Sequence, residues 1–193
     1  MNLMKLSNTH ENILNRIERE NEEDSVWIVG SKTGRMLYWL ARVVEPKNIL
    51  EIGTSVGYSG IWLAAALEAN GGGKLWTIES HAERYGRAQE NFKEAGLDHM
   101  IESVKGHAPE VFDELSFPEE IDLAFFDATK KEHEDFFDAV FPRMKSGGLV
   151  IVDNVISHRS GDMGAFVDGI HENSNLKVVE IPVGDGLLIA RVV

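Results

Sequence analysis

Two stretches of the chain run an apolar strand straight into oxygen-bearing side chains: Phe125-Phe126-Asp127-Ala128-Thr129-Lys130 and Val150-Ile151-Val152-Asp153-Asn154. Two carboxylates and an amide oxygen delivered from strand ends form the donor set of a hard cation. Asp127, Asp153 and Asn154 suit Mg²⁺, Ca²⁺ or Mn²⁺ far better than Zn²⁺. Taken singly, each has a plainer use: Asp127 as the N-cap of a helix beginning near Lys130, and Asp153-Asn154 as a turn. Their joint arrival at the carboxyl edge of a sheet, where open α/β folds bind ligands, favours the cation.

A third stretch, Ile49-Leu50-Glu51-Ile52-Gly53-Thr54-Ser55-Val56-Gly57-Tyr58-Ser59-Gly60, joins an apolar strand to a glycine turn and a helix start, as close backbone approach to a nucleotide-like ligand requires. Its G-x-x-x-G-x-x-G spacing departs from the G-x-G-x-x-G of dinucleotide turns and argues against NAD. Alone, the turn is read equally well as a tight strand-to-helix connection. Glu79 shifts the balance. It ends Leu75-Trp76-Thr77-Ile78-Glu79, where a carboxylate either caps the helix near His81 or accepts hydrogen bonds from two ribose hydroxyls. A glycine turn together with a strand-end acid favours an adenosine-type cofactor, and the three stretches together suggest a metal-assisted transferase.

The elements that position these residues alternate in the manner of repeated βα units in a single domain over residues 1–193. Helices are expected over 7–20 and 31–44, strands at 48–52, 74–79, 101–105, 121–126 and 148–152, and helices at 57–70, 81–95, briefly near 108–114, over 130–145 and near 162–172. Leu176 to Ile181 and Leu187 to Val192 flank Pro182-Val183-Gly184-Asp185-Gly186 as an antiparallel hairpin. The fold class is therefore α/β, a seven-stranded, mostly parallel sheet with a C-terminal antiparallel hairpin and helices on both faces. The helices of residues 1–45 are expected to contribute to a lid over cofactor and substrate.

Composition narrows the partners. The 193 residues are 43% apolar, enough for a sizeable core. A formal charge of −13 opposes a phosphate backbone as partner, because nucleic-acid affinity rests on Lys and Arg. No cysteine is present, so neither disulfides nor thiolate ligands are available. Met1 to Asp24 is polar, with no apolar run of membrane length, and a cytoplasmic setting is expected.

Taken as an ordered set, Val29-Gly30-Ser31-Lys32-Thr33-Gly34, the Glu51 to Ser59 turn, Asp127-Ala128-Thr129-Lys130, Asp153-Asn154 and Gly184-Asp185-Gly186-Leu187 resemble the cation-dependent, S-adenosylmethionine-using O-methyltransferases, the catechol and caffeoyl-CoA O-methyltransferase group. The resemblance implies a Rossmann-like class I methyltransferase fold and transfer of a methyl group to a hydroxyl of a small phenolic or catechol-like acceptor. It implies Asp127, Asp153 and Asn154 as ligands of a divalent cation, foremost Mg²⁺, and Lys130 as catalytic base. It implies Glu79 as the ribose contact, with Val29, Gly30, Gly53, Ser55, Gly57, Ser59, Ala108 and Asp127 around the S-adenosylmethionine. A homodimer is a further, weaker implication. Methylation of a hydroxylated tRNA base and a non-catalytic cofactor-binding relative are the alternatives; the acidic charge weighs against the first.

The sequence departs from the family pattern at three places. Thr129 stands where an aspartate is common, His133 where a tyrosine is common, and His107 where an aspartate often follows the glycine. His133 is expected to be a surface helix residue, and Lys130-Lys131-Glu132-His133-Glu134-Asp135 a solvated face apart from Lys130. The segment after Asn154 is short, which favours a small acceptor, and His158 is either a solvated loop residue or a substrate contact. Tyr38 and Trp39 are expected in the core and Trp27 in the wall of a substrate site.

Overall fold

The computed structural model describes residues 6–114 and 120–193; the first five residues of the polar N-terminal stretch lie outside them. Two helices come first, α1 (Asn8–Glu23) and α2 (Ser31–Val44). The alternating part follows: β1 (Asn48–Ile52), α3 (Tyr58–Ala69), β2 (Lys74–Glu79), α4 (Ala82–Glu94), β3 (Ile101–Lys105), β4 (Ile121–Phe126), α5 (His133–Val140), β5 (Met144–Val152) and α6 (Gly161–Glu172). The hairpin β6 (Leu176–Ile181) and β7 (Leu187–Val192) ends the chain.

Among the described residues the strands form one seven-stranded sheet in the order β3-β2-β1-β4-β5-β7-β6. All neighbours from β3 to β5 are parallel, whereas β7 runs antiparallel to both β5 and β6. The expected fold class is thus the observed one. Side chains alternate between two cores, as the two-residue strand period demands. Leu123 and Phe125 of β4 join α1 to α4 on one face; Ala124 and Phe126 join α5 and α6 on the other. Burial on both faces explains why β1, β4 and β5 read as nearly continuous apolar runs. The order reverses at β1 and β4, the point at which an open α/β sheet leaves a crevice beyond its carboxyl edge.

Two expected elements are corrected. The helix expected over 130–145 is confined to His133–Val140, followed by a 3₁₀ turn at Phe141–Arg143. Pro142 in that turn lacks the N–H needed to continue the helix. The chain enters β5 at Met144 rather than 148, with a register shift opposite Ile121 to Leu123 and Gly147 at φ +85°. Trp39, expected in the core, is 42% exposed beside Val43, while Tyr38 is buried.

Candidate functional site

The strand ends at the carboxyl edge are locked together by backbone bonds that carry the ladder past the strands. Gly53 N–H and Thr54 N–H donate to Ile78 O, Asp127 N–H to Ile52 O, Asp153 N–H to Phe126 O, and Gly106 N–H to Glu79 O. Above this edge lies a cavity of about 430 Å³ bordered by the loops after all five parallel strands and by Trp27, Ile28 and Val29. It brings Asp127, Lys130, Asp153 and Asn154 into one wall with Gly53, Ser55, Glu79, Ala108 and Val29.

Gly53 is required here for a steric reason. Its φ is +100°, and a Cβ would lie 2.1 Å from Asp127 O, so the turns after β1 and β4 can approach only over a hydrogen atom. Gly57 and Gly60 serve packing instead, each facing Phe92 of α4. Ser59 is buried and its hydroxyl bonds Glu51. Gly57, Ser59 and Gly30, the N-cap of α2, all stand outside the cavity wall.

Glu79 is 6% exposed, and both its oxygens are engaged, Oε2 by Ser55 N–H at 2.7 Å and Oε1 by His81 N–H at 2.8 Å. The carboxylate therefore bridges the turn after β1 and the turn leading into α4, with lone pairs left over for a ligand. The Ser55 hydroxyl donates to Val26 O, which ties the segment between α1 and α2 down beside the cavity. That segment carries Trp27, 69% exposed on the cavity rim with φ +57°. Of the four described non-glycine residues at positive φ, Trp27, Ser55 and Asn154 border the cavity, while Glu45 ends α2. Each costs of order 1–3 kcal/mol, strain that clusters at functional sites.

Beneath the wall, Glu51 is fully buried. It accepts from Thr77 Oγ1 at 2.5 Å and from Ser59, and Oε1 has no partner among the described residues. Burial pushes its carboxyl up from 4.5 to about 7, with Asp127 and Glu79 adding to the rise against the hydrogen bonds.

At the other end, Lys130 Nζ donates to Asp127 Oδ1 at 2.9 Å. Lys130 stands in the turn before α5, three residues ahead of where the helix begins, and the N-cap is Glu132 rather than Asp127. Asp153 is 3% exposed, and its Oδ1 is buried with no partner among the described residues. Burial raises its carboxyl to about 7, and Asp127 adds to the rise. Among the described residues no group of three or more His, Asp or Glu is arranged around a metal. The set here is two carboxylates and a neutral amide, and the orphaned Asp153 oxygen fits a hard cation that would take it up.

His133 is not a surface residue. It is fully buried against Phe126, Phe136 and Phe166, with ring centroids 6.4, 5.8 and 5.7 Å away, and its Nδ1–H donates to Thr129 O at 3.1 Å. Burial, reinforced by Lys130, lowers it from 6.5 to about 4, so it is neutral at pH 7. The spacing His133, Phe136, Phe137, Val140 is the buried stripe of α5, a signal present in the sequence. Glu132 also leaves the solvated face expected of it: it borders the cavity and meets His107 at 3.0 Å. Ser80 and Arg84 border the cavity without having been singled out, Asp185 of the Gly184-Asp185-Gly186-Leu187 motif joins them, and His158 lies at the exposed rim.

This arrangement, a nucleoside-sized cavity at the switch point with a strained turn and a strand-end acid, has named counterparts. The sequence matches the O-methyltransferase family profile over residues 4–193. The chain belongs to the O-methyltransferase family. It is 36% identical over 132 residues to the catechol O-methyltransferase of Niastella koreensis, an alignment spanning 66% of this chain and 58% of that one. The O-methyltransferase TomG from Streptomyces achromogenes, solved in complex with SAM, superposes with a TM-score of 0.81 at 28% identity, covering 99% of this chain and 92% of that one. The O-methyltransferase from Bacillus cereus in complex with SAH gives 0.83 at 25% identity, covering 100% and 94%. This O-methyltransferase is accordingly an S-adenosylmethionine-dependent enzyme. Among the described residues no helix is long and apolar enough to cross a membrane.

Proposed function

We propose that this O-methyltransferase methylates a hydroxyl of a small phenolic or catechol-like acceptor, with Asp127, Asp153 and Asn154 holding a divalent cation, foremost Mg²⁺, and Lys130 as base. The observation that carries the reading is the convergence of those four residues on one cavity wall, with a buried Asp153 oxygen that has no partner among the described residues. S-adenosylmethionine would supply an electrophilic methyl group on a sulfonium, and a divalent cation would supply Lewis-acid polarisation of the acceptor hydroxyl.

The chain's own residues do the rest. Glu79, fixed by two backbone N–H groups, would take the ribose hydroxyls and so set where the methyl group points. Gly53, Ser55, Ala108 and Val29 wall the cofactor, and Gly57, Ser59 and Gly30 would act from behind that wall by holding its turns. Lys130, released from Asp127 and in its neutral amine form, would take the acceptor's hydroxyl proton at Nζ and become the ammonium, because a phenol is a poor nucleophile while protonated. Trp27 gives the acceptor ring an exposed apolar face at the rim. Held in line, the oxygen and the methyl carbon gain the advantage of positioning, worth about 7–11 kcal/mol in well-oriented systems.

The test is transfer from labelled S-adenosylmethionine to a panel of catechols and hydroxycinnamates, with Mg²⁺ and with a chelator. Turnover that disappears on chelation and returns with metal is expected. Turnover indifferent to chelation sinks the cation role, and a panel without any acceptor sinks the phenolic one. A cytoplasmic homodimer belongs to the same reading. Exposed Trp39 and Val43, four residues apart on α2, support a second copy, and the elution volume of the purified chain checks it.

A further inference from the structure

His107 and Glu132 have no part in the roles above. They come from opposite loops, His107 from the one after β3 and Glu132 from the position just before α5, and both border the cavity. His107 Nε2 and Glu132 Oε1 are 3.0 Å apart, so the pair bridges the two loops. The other carboxylate oxygen, Glu132 Oε2, is buried with no hydrogen-bond partner among the described residues. An acceptor left unpaired in this way costs about 1–3 kcal/mol, which a donor on a ligand would recover.

Position along the cavity indicates which donor. Lys130, Asp153 and Asn154 mark the end over β4 and β5 where the methyl group must be delivered, and Glu79 at the end of β2 is the ribose contact. Across the sheet order β5-β4-β1-β2-β3, the base of the nucleoside then falls at the β3 end, walled by Ser80, Arg84, Gly106, His107 and Ala108. At the edge of the purine ring adenine carries an exocyclic amine, a donor; hypoxanthine carries a carbonyl oxygen there, an acceptor.

We propose that Glu132, held by His107, recognises the exocyclic amine of the cofactor's adenine through Oε2. The assignment rests on the S-adenosylmethionine-dependent reading. It gives the histidine that departs from the family pattern a use, which is to tether a carboxylate arriving from the opposite loop. A carboxylate at this point accepts from adenine and repels the carbonyl oxygen of hypoxanthine, so it is a specificity-determining group that takes no part in the chemistry.

Calorimetric titration of the full chain with S-adenosylhomocysteine and with S-inosylhomocysteine, in which a carbonyl oxygen replaces the amine and the adjacent N1 carries a hydrogen, tests it. The unaltered chain is expected to prefer the adenine compound at least about tenfold, since a site built to pair a polar group discriminates strongly against an analogue lacking it. Glu132→Gln, whose amide can present either a donor or an acceptor, is expected to bring the ratio to within about threefold. His107→Ala, which unlocks the carboxylate, is expected to lower the ratio as well and serves if Glu132→Gln does not fold. Equal affinities in the unaltered chain, or an unchanged ratio in either variant, overturn the proposal. Failure of the unaltered chain to bind either compound overturns the cofactor reading itself, and this one with it.

Discussion

The two halves of the cavity wall are built on opposite terms. On the β1–β2 side the polar groups are already answered: Glu79 accepts two backbone N–H bonds, Gly53 and Thr54 N–H reach Ile78 O, and the Ser55 hydroxyl holds Val26 O. On the β4–β5 side they are not. Among the described residues Asp153 Oδ1 is buried without a partner and Lys130 Nζ is bound within its own turn to Asp127, and Asn154 is held at φ +65°. A side that satisfies itself can be shaped in advance for a ligand of fixed form. A side carrying unanswered oxygens is completed by what arrives, and its cost is returned when the cation and acceptor are in place.

The comparison is broken most forcefully on the open side. Lys130→Ala should lower the turnover number by about 10²–10⁴-fold if Lys130 is the base, while S-adenosylhomocysteine affinity changes by less than about threefold. A loss of affinity as large as the loss of turnover would place Lys130 with the preshaped half instead. On that half the expected effect is on folding. Gly53→Ala forces a methyl group to 2.1 Å from Asp127 O at φ +100° and should cost about 3 kcal/mol or more, seen as a melting temperature roughly 10 °C lower. Gly86→Ala in α4, where a Cβ meets nothing within 4 Å, should be neutral or stabilising by up to about 1 kcal/mol. Equal melting temperatures for the two variants would remove the steric reason given for Gly53.

What could be read in the sequence follows the same division. The strands and the hairpin were legible because period-two and all-apolar runs leave few other solutions, and Asp127, Asp153, Asn154 and Glu79 were legible because each ends such a run. Gly57 and Ser59 share the motif of Gly53, yet they face Phe92 and Glu51, since a spacing in a turn does not say which side of it each residue takes. His133 and Glu132 were obscured by the charges around them. The start of α5 decides their surroundings, and it lies three residues later than Lys130 suggested. Their burial depends on α6 and on the loop after β3, both distant in the chain.

A smaller effect sharpens the comparison by its sign with pH. Glu51 lies under the preshaped half with its carboxyl raised from 4.5 to about 7. Between those values the folded chain holds a proton that the unfolded chain has released, so this group's contribution to stability falls as pH rises through that window. A difference of about 2.5 units corresponds to roughly 3 kcal/mol lost between pH 4.5 and 7. His133, held neutral and lowered from 6.5 to about 4, acts in the opposite sense: the unfolded chain binds the extra proton, and stability grows as pH rises from 4 to 6.5. Asp153, raised from 3.8 to about 7, acts in the same sense as Glu51, so the unaltered chain should lose stability as pH rises from 4.5 to 7. Glu51→Gln keeps a neutral side chain beside Ser59 and Thr77 and should leave His133 and Asp153 to offset each other, so that urea unfolding gives stability nearly level from pH 4.5 to 6.5. His133→Leu should remove the opposing limb, with stability falling more steeply from pH 4.5 to 7, after the loss of about 1 kcal/mol for the Thr129 hydrogen bond. Parallel pH profiles for both variants and the unaltered chain would show that neither group changes its proton affinity on folding, and the buried carboxyl under the cofactor turn would have to be ionised throughout.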